Sequence, residues 1–251
     1  MHFAKPILAR LILASLPIVA QSAPALADCL TADDLAAGIE VTVEGGFKAV
    51  YRGRGFGDVT AAADYVKGGD GYGWEYRLDR GLFVTEERIT EHEADRSAGD
   101  EVVVGGNEGG TITLSMNPQK AVPKVLADWT SKVKYRREQD GPSIGPQPVL
   151  SGKLAAVLRV LPEKSVKISG CAYRIAPVET RLEMTSSSDL RVDGVAAQEA
   201  GAALPAPGAA LLVRRQIYFL DLGFGVVTRE ADEVEAMPVI DNGITAMARA
   251  G

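Results

Sequence analysis

The sequence predicts an all-β protein, either a mostly antiparallel curved sheet or barrel with at most one or two short helices, or a two-sheet β-sandwich. Apolar and polar residues alternate with a period of two in several segments, as in strands that bury one face. Glycine-rich turns separate these segments, and long helical periodicity is scarce. Of the 251 residues, the 224 that follow residue 27 suit a single β domain over 28–240, with 241–251 as a flexible C-terminal tail.

The first elements of this domain are a short helix and a hairpin. Thr31 and Asp34 have the spacing of a capping box, and Gly38 can end the helix, which predicts one or two helical turns over 32–37. Alternation then begins and continues on both sides of Gly45-Gly46, which predicts a β-hairpin.

Further strands follow from the same period of two. Each run can bury one face and leave the other in solvent. The predicted strands are 74–78, 82–89, 111–116, 129–136 and 178–184. Residues 166–168 and 173–175 alternate out of phase across Gly170-Cys171, which predicts a bulge or bend at that point.

Three segments have a less regular pattern. Residues 122–129 and 153–160 fit either a helix or a strand, because their apolar spacing allows both. Residues 195–210 are rich in alanine, proline and glycine, which predicts a flexible loop.

The first 27 residues predict export. Lys5 and Arg10 supply a positive region, residues 7–20 form a nearly uninterrupted apolar run, and Ala25-Leu26-Ala27 is a small-x-small cleavage site. The apolar run is too short to span a bilayer, so we interpret it as a signal peptide cleaved near Ala27. The protein is therefore expected in the periplasm, or secreted.

Charge and hydropathy argue against several classes of partner. The chain after residue 27 has 25 basic and 33 acidic residues, a net charge of −8, which disfavours nucleic acids and anionic lipid headgroups. Beyond that residue no apolar run approaches the roughly 20 residues that a membrane helix needs. The protein is therefore not expected to span a membrane.

Cys29 and Cys171 are the only two cysteines in the sequence. In an exported protein, two cysteines are expected to form a disulfide. Neither a C-x-x-C spacing nor clustered histidines accompany them, which argues against a redox or metal-binding pair.

Residues suited to catalysis or metal binding are few. His92 is the only histidine after residue 27, and its charge-dense surroundings are typical of a solvated strand end. The alternative is a divalent-cation site formed by Glu91, His92, Glu93 and Asp95. No cofactor is expected, and the protein is not expected to be an enzyme. A hydrolase acting on envelope polymers is the enzymatic alternative.

The most distinctive apolar segment is 217–227, whose two glycines allow a strand to bend or to lie close against another surface. The segment predicts either a late core strand with a bulge or the wall of an apolar cavity. In the second interpretation Tyr218, Phe219, Leu222 and Phe224 line the cavity and contact its ligand.

A run of antiparallel strands after a signal peptide, ending in the aromatic and glycine-rich strand 218–227, resembles the outer-membrane lipoprotein carriers. The resemblance implies a curved sheet around an apolar cavity covered by helices. The leading hypothesis is an exported, non-catalytic envelope protein that binds an apolar small molecule or lipid, or an envelope protein, in a β-lined cavity. The alternative is a structural or assembly scaffold without a ligand, acting through an exposed strand edge.

Overall fold

The structure, a computed structural model, describes residues 29–44, 47–55, 57–67, 70–92, 109–116, 122–123, 125–140, 149–197, 199–201, 206, 208–231 and 243–251. Within these residues the chain is nearly all β, with one short α-helix. Its strands form an antiparallel, nearly closed, barrel-like sheet, which confirms the predicted fold class.

Fifteen strands form this sheet in the described part of the chain. They are β1 (Ile39–Val43), β2 (Lys48–Gly55), β3 (Asp58–Lys67), β4 (Asp70–Asp79), β5 (Phe83–His92), β6 (Gly109–Met116), β7 (Trp129–Asp140), β8 (Leu150–Val160), β9 (Lys164–Ile168), β10 (Cys171–Glu183), β11 (Leu190–Val192), β12 (Val195–Ala196), β13 (Ala210–Phe219), β14 (Phe224–Ala231) and β15 (Ile244–Arg249). The order across the sheet is β14-β13-β10-β8-β7-β6-β5-β4-β3-β2-β1-β15. The short strands lie beside this path, where β9 pairs with β10, β11 pairs with β8, and β12 pairs with β11.

The predicted helix and first hairpin are both present. Helix α1 (Asp34–Ala37) is shorter than predicted, and the Asp34 carboxylate accepts the N–H of Thr31 at 2.8 Å. The bond closes the turn that precedes α1. The N-cap itself is Asp33, whose side chain makes no capping hydrogen bond, so the capping box predicted from Thr31 and Asp34 does not cap this helix. Strands β1 and β2 pair antiparallel with Val41 opposite Ala49, as alternation around the glycine pair predicts.

The ambiguous segment 153–160 is a strand, since it lies within β8 and pairs with both β7 and β10. The loop prediction for 195–210 is wrong at both ends, because its first two residues form β12 and its last residue begins β13. Asp193 and Gly194 both have positive φ (48° and 84°), as a two-residue type I′ hairpin requires, and their turn joins β11 to β12.

The bulge or bend predicted at Gly170-Cys171 is a hairpin turn between two strands. Ser169 and Gly170 both have positive φ, and Ile168 lies opposite Cys171 in the β9–β10 ladder. A turn of this type reverses the chain with only two residues between the strands. The change of phase across Gly170 therefore marks the end of one strand and the start of the next.

The C-terminal tail prediction for 241–251 is also wrong, because Ile244–Arg249 form β15 and pair with β1 from Arg249 opposite Ile39 to Ile244 opposite Val43. Ala246 and Ala248 supply little apolar surface, so the alternation along this strand gives a weak strand signal. The segment is ordered because it pairs with β1 and because Met247 is buried in the first core. The described sheet thus extends to residue 249.

Two apolar cores lie inside the sheet. The first is formed by residues of β1 to β5, β9, the first half of β10, the end of β13, the turn after it, β14 and β15. The second is formed by residues of β5 to β8, the second half of β10, β11 and the start of β13. Strand β10 serves both cores because its buried positions change phase at Ile175 and Ala176, which are both buried.

The β14 end of the sheet is covered by groups from within the protein. The N–H of Gly225 donates to the carbonyl oxygen of Gly81 at 2.6 Å, and the buried hydroxyl of Tyr51 hydrogen-bonds the backbone of Val227. These bonds satisfy the first half of β14 on the side away from β13, so they protect that part of the edge from pairing with a further strand.

Gly152 gives a test of the packing between β8 and β11. A Cβ at this position would lie 2.0 Å from the carbonyl oxygen of Asp189 and 2.8 Å from a methyl carbon of the buried Leu190. We expect Gly152→Ala to lower the free energy of unfolding by about 1–3 kcal/mol, measured by urea denaturation, because the backbone of β11 must move. The matched control is Gly53→Ala, where the nearest atom is 3.6 Å away and no loss is expected. Equal stability of the two variants would contradict this packing.

Candidate functional site

The four residues predicted to line a cavity lie in the first core and beside it. Phe219, Leu222 and Phe224 are fully buried, and the rings of Phe219 and Phe224 stack with their centroids 5.7 Å apart. Tyr218 is half-buried against the second core, and burial raises the pKa of its hydroxyl. The segment 217–227 is thus the end of β13 and the start of β14, joined by a tight turn. Ligand contact by these residues stays a prediction.

Cys29 and Cys171 form the predicted disulfide, with 5.6 Å between their Cα atoms. Cys171 is buried at the start of β10, whereas Cys29 is exposed. The bond fixes the segment after Cys29 against the β9–β10 hairpin, and the next residue, Leu30, packs into the first core.

A pocket of about 250 Å³ lies beside this disulfide, where β15 contacts the β9–β10 hairpin. We call it the seam pocket. Its walls come from the N-terminal segment, from the hairpin and from β15: Leu30, Ser169, Cys171, Tyr173, Met247, Ala248 and Arg249. Four of these side chains belong to the first core, so the walls are mainly apolar.

Hydrogen bonds join the three walls of the seam pocket. The N–H of Leu30 donates to the hydroxyl oxygen of Tyr173 at 3.2 Å, and the N–H of Met247 donates to Ser169 Oγ at 3.0 Å. Met247 lies opposite Val41 of β1, yet its N–H is directed to the hairpin. The outer edge of β15 therefore faces the seam pocket.

An ion pair anchors the C-terminal end of β15 to α1. Arg249 Nε lies 2.6 Å from Asp34 Oδ1 of α1. The hydrogen bond from Arg249, helped by the backbone N–H of Thr31, lowers the pKa of the Asp34 carboxyl to about 2. Hydrogen bonds to the charged form of a carboxyl lower its pKa, because they favour loss of the proton.

This pair predicts a pH dependence. An unperturbed Asp has a pKa of about 3.9, so the pair stabilises the fold fully above about pH 4, and its contribution is lost as the pH falls through about 2. We expect an NMR titration of the Asp34 side-chain carbon to have its midpoint near 2. In Arg249→Met the midpoint should rise toward 3.9, whereas Arg174→Met, which removes a guanidinium paired with Asp221, should leave it unchanged. A midpoint of Asp34 unaffected by Arg249→Met would contradict the pair.

The metal hypothesis involves residues at the limit of the described chain. Glu91 and His92 are the last two residues of β5, and Glu93 and Asp95 lie outside the described residues. Among the residues that the structure describes, no three His, Cys, Asp or Glu side chains are grouped so that they could hold a metal ion. The cation site therefore stays a prediction.

Among the residues that the structure describes, no helix is long and apolar enough to cross a membrane.

A buried ion pair connects distant strands across the interior. Arg214 of β13 and Glu87 of β5 approach to 2.5 Å, with 3% and 5% of their side chains exposed. The Arg214 guanidinium also lies 5.8 Å from the centre of the Tyr76 ring. The sequence does not predict this pair, because Glu87 lies in an acidic stretch that is typical of a protein surface. The sequence offers one indication of a buried charge. Arg214 is two residues from the buried Leu212, so both side chains lie on the same face of β13.

The sequence does not predict the seam pocket either, for a different reason. Only Cys171 among its lining residues carries a recognisable signal, whereas Leu30, Ser169, Tyr173 and Met247 are ordinary strand and turn residues. They come from segments far apart in the chain, and the closure of the sheet brings them together.

The fold and the pocket define a barrel-like, disulfide-bonded, nearly all-β protein. Comparison with known proteins adds no relative: no family model matches the chain, and neither the curated proteins nor the solved structures searched contain a match.

Proposed function

We propose that this protein is an exported, non-catalytic envelope protein that binds an extended segment of a partner protein at the seam pocket. One large apolar side chain of the partner enters the pocket, and its backbone lies along the strand edge. The observation that carries the proposal is a mainly apolar pocket beside the outer edge of β15. The signal-peptide pattern of residues 1–27 and the disulfide support export, since disulfides persist in oxidising compartments.

The size of the pocket favours a single side chain over a lipid. Pockets for drug-sized molecules occupy about 300–1,000 Å³, and the seam pocket holds about 250 Å³. The aromatic side chains of Phe219 and Phe224 are fully buried in the first core. The resemblance to lipoprotein carriers stays a prediction, and the proposal does not depend on it.

The position of the pocket at a strand edge favours a peptide. An extended segment that joins a sheet edge gains affinity from main-chain hydrogen bonds and specificity from pockets for alternate side chains. Met247 lines the pocket with its buried side chain, and its main chain faces away from β1. Its N–H is already donated to Ser169 Oγ, so a bound segment pairs with the neighbouring positions of the β15 edge or replaces that bond. Burial of one large apolar side chain contributes roughly 1.5–3 kcal/mol.

The proposal can be tested with a minimal peptide probe. The disulfide-bonded protein, labelled with ¹⁵N, is titrated with N-acetyltryptophanamide, which has an apolar side chain between two peptide groups. We expect chemical-shift changes at the amides of Leu30, Tyr173 and Met247, and none with N-acetylalaninamide. Met247→Glu should abolish the changes, because it places a charge in an apolar wall.

The matched control is Val195→Glu, which adds the same charge at an exposed apolar residue outside the seam pocket. It should leave the titration unchanged. Shifts produced by 1-octanol alone would assign the pocket to a small apolar ligand instead of a peptide. The absence of shifts with every probe would refute binding at this site.

A further inference from the structure

A polar cluster lies inside the protein, away from the seam pocket. It contains Tyr76, Glu87, Thr180, Arg214 and Gln216. Tyr76 lies opposite Glu87 in the β4–β5 ladder, and Thr180 lies opposite Arg214 in the β10–β13 ladder. The ion pair between Glu87 and Arg214 joins these two ladders across the interior. We call this group the junction cluster, since its strands contribute to both apolar cores.

Two members of the junction cluster are buried without hydrogen-bond partners among the described residues. Gln216 is 2% exposed and Thr180 is 5% exposed. Within the part of the chain that the structure describes, the oxygen and nitrogen of the Gln216 side-chain amide and the hydroxyl oxygen of Thr180 make no hydrogen bond. Burying such groups unpaired is unfavourable, and the great majority of buried polar groups in native proteins are paired with protein or with ordered water.

The register places these two side chains within reach of one bridging molecule. Thr180 is opposite Arg214, and Gln216 is opposite Val178, so Thr180 and Gln216 are diagonal neighbours on the same face of the β10–β13 pair. Their Cα atoms are then roughly 7–8 Å apart. A water molecule accepts and donates hydrogen bonds of about 2.8 Å, so it can bridge the two side chains.

A glycine lies directly beside the Gln216 amide. A Cβ on Gly225 would be 3.4 Å from Gln216 Nε2 and 3.3 Å from the carbonyl oxygen of Gly81. A larger residue at 225 would therefore compete with any molecule that binds the amide from this side.

We propose that the junction cluster is a binding site for ordered water, held by Thr180 Oγ1 and the Gln216 amide beside the Glu87–Arg214 pair. Buried waters of this kind make two to four hydrogen bonds to groups that lack protein partners. The ligand class is water or a hydrogen-bonding molecule of similar size, since the cluster lies between two packed cores.

Water-selective NMR on the disulfide-bonded protein tests the proposal directly. The Gln216 side-chain amide, labelled with ¹⁵N, should show negative rotating-frame cross-peaks to water, which indicate a bound molecule and not proton exchange. The assignment is made with Gln216→Met, in which the cross-peaks must disappear. Their absence at Gln216 in the wild-type protein would overturn the proposal.

A stability comparison tests it independently. Thr180→Val replaces the hydroxyl with a methyl group of the same shape. If the hydroxyl binds water, we expect Tm to fall by about 2–4 °C, as for the loss of one hydrogen bond in a chain of this size. If the hydroxyl is unpaired, the change removes a buried polar group without a partner and Tm should rise, which would overturn the proposal. Thr130→Val, at an exposed position on β7, is the matched control.

Discussion

Replacing Arg214 with methionine is expected to lower the free energy of unfolding by about 3–5 kcal/mol, because it removes the guanidinium that offsets the charge of the buried Glu87 carboxylate. Equilibrium urea denaturation, followed by tryptophan fluorescence, measures the change. A loss of this size is a large fraction of the stability of a typical domain. We therefore expect the variant to be partly unfolded at 37 °C.

The control for this prediction is Arg215→Met on the same strand. Arg215 pairs with Glu179 at 3.0 Å, but half of its side chain is exposed, so the loss should be at most about 1 kcal/mol. The double change Arg214→Met with Glu87→Leu should recover most of the stability, because it removes both buried charges together. Equal losses in Arg214→Met and Arg215→Met would show that the interior pair contributes no more than a surface one.

Removal of the disulfide is expected to have the second large effect. The double variant Cys29→Ala with Cys171→Ala should lose about 2–5 kcal/mol of unfolding free energy, measured by urea denaturation. The bond closes a loop across 142 residues, and in the chain-entropy model a loop of that length contributes roughly 5 kcal/mol. Alanine is used at both positions because a serine at the buried Cys171 would add an unpaired hydroxyl.

Reduction supplies the control for the disulfide variant. Wild-type protein in dithiothreitol should show the same loss as the double variant, whereas the variant itself should not respond to the reductant. The amides of Leu30 and Tyr173 should also lose protection from hydrogen exchange, since the bond fixes this wall of the seam pocket. Unchanged stability on reduction would contradict a constraint by the bond.

The sequence by itself determined the fold class and most of the strands. A period of two in the apolar residues requires that one face be buried, and this requirement is local to each strand. For this reason the first hairpin and the strands at 111–116 and 129–136 lie where alternation predicts them. The disulfide also followed from the sequence, because only two cysteines were available to pair.

Tertiary structure decided the features that depend on closure of the sheet. Ile244–Arg249 became a strand because β1 offered a free edge, and Met247 found an apolar core. Glu87 became a buried charge because closure placed Arg214 opposite it, although its neighbours in sequence are acidic. Phe219 and Phe224 fill the first core, while Leu30, Tyr173 and Met247 line the seam pocket. Such contacts join residues far apart in the chain, and no local period in the sequence encodes which strand edges meet.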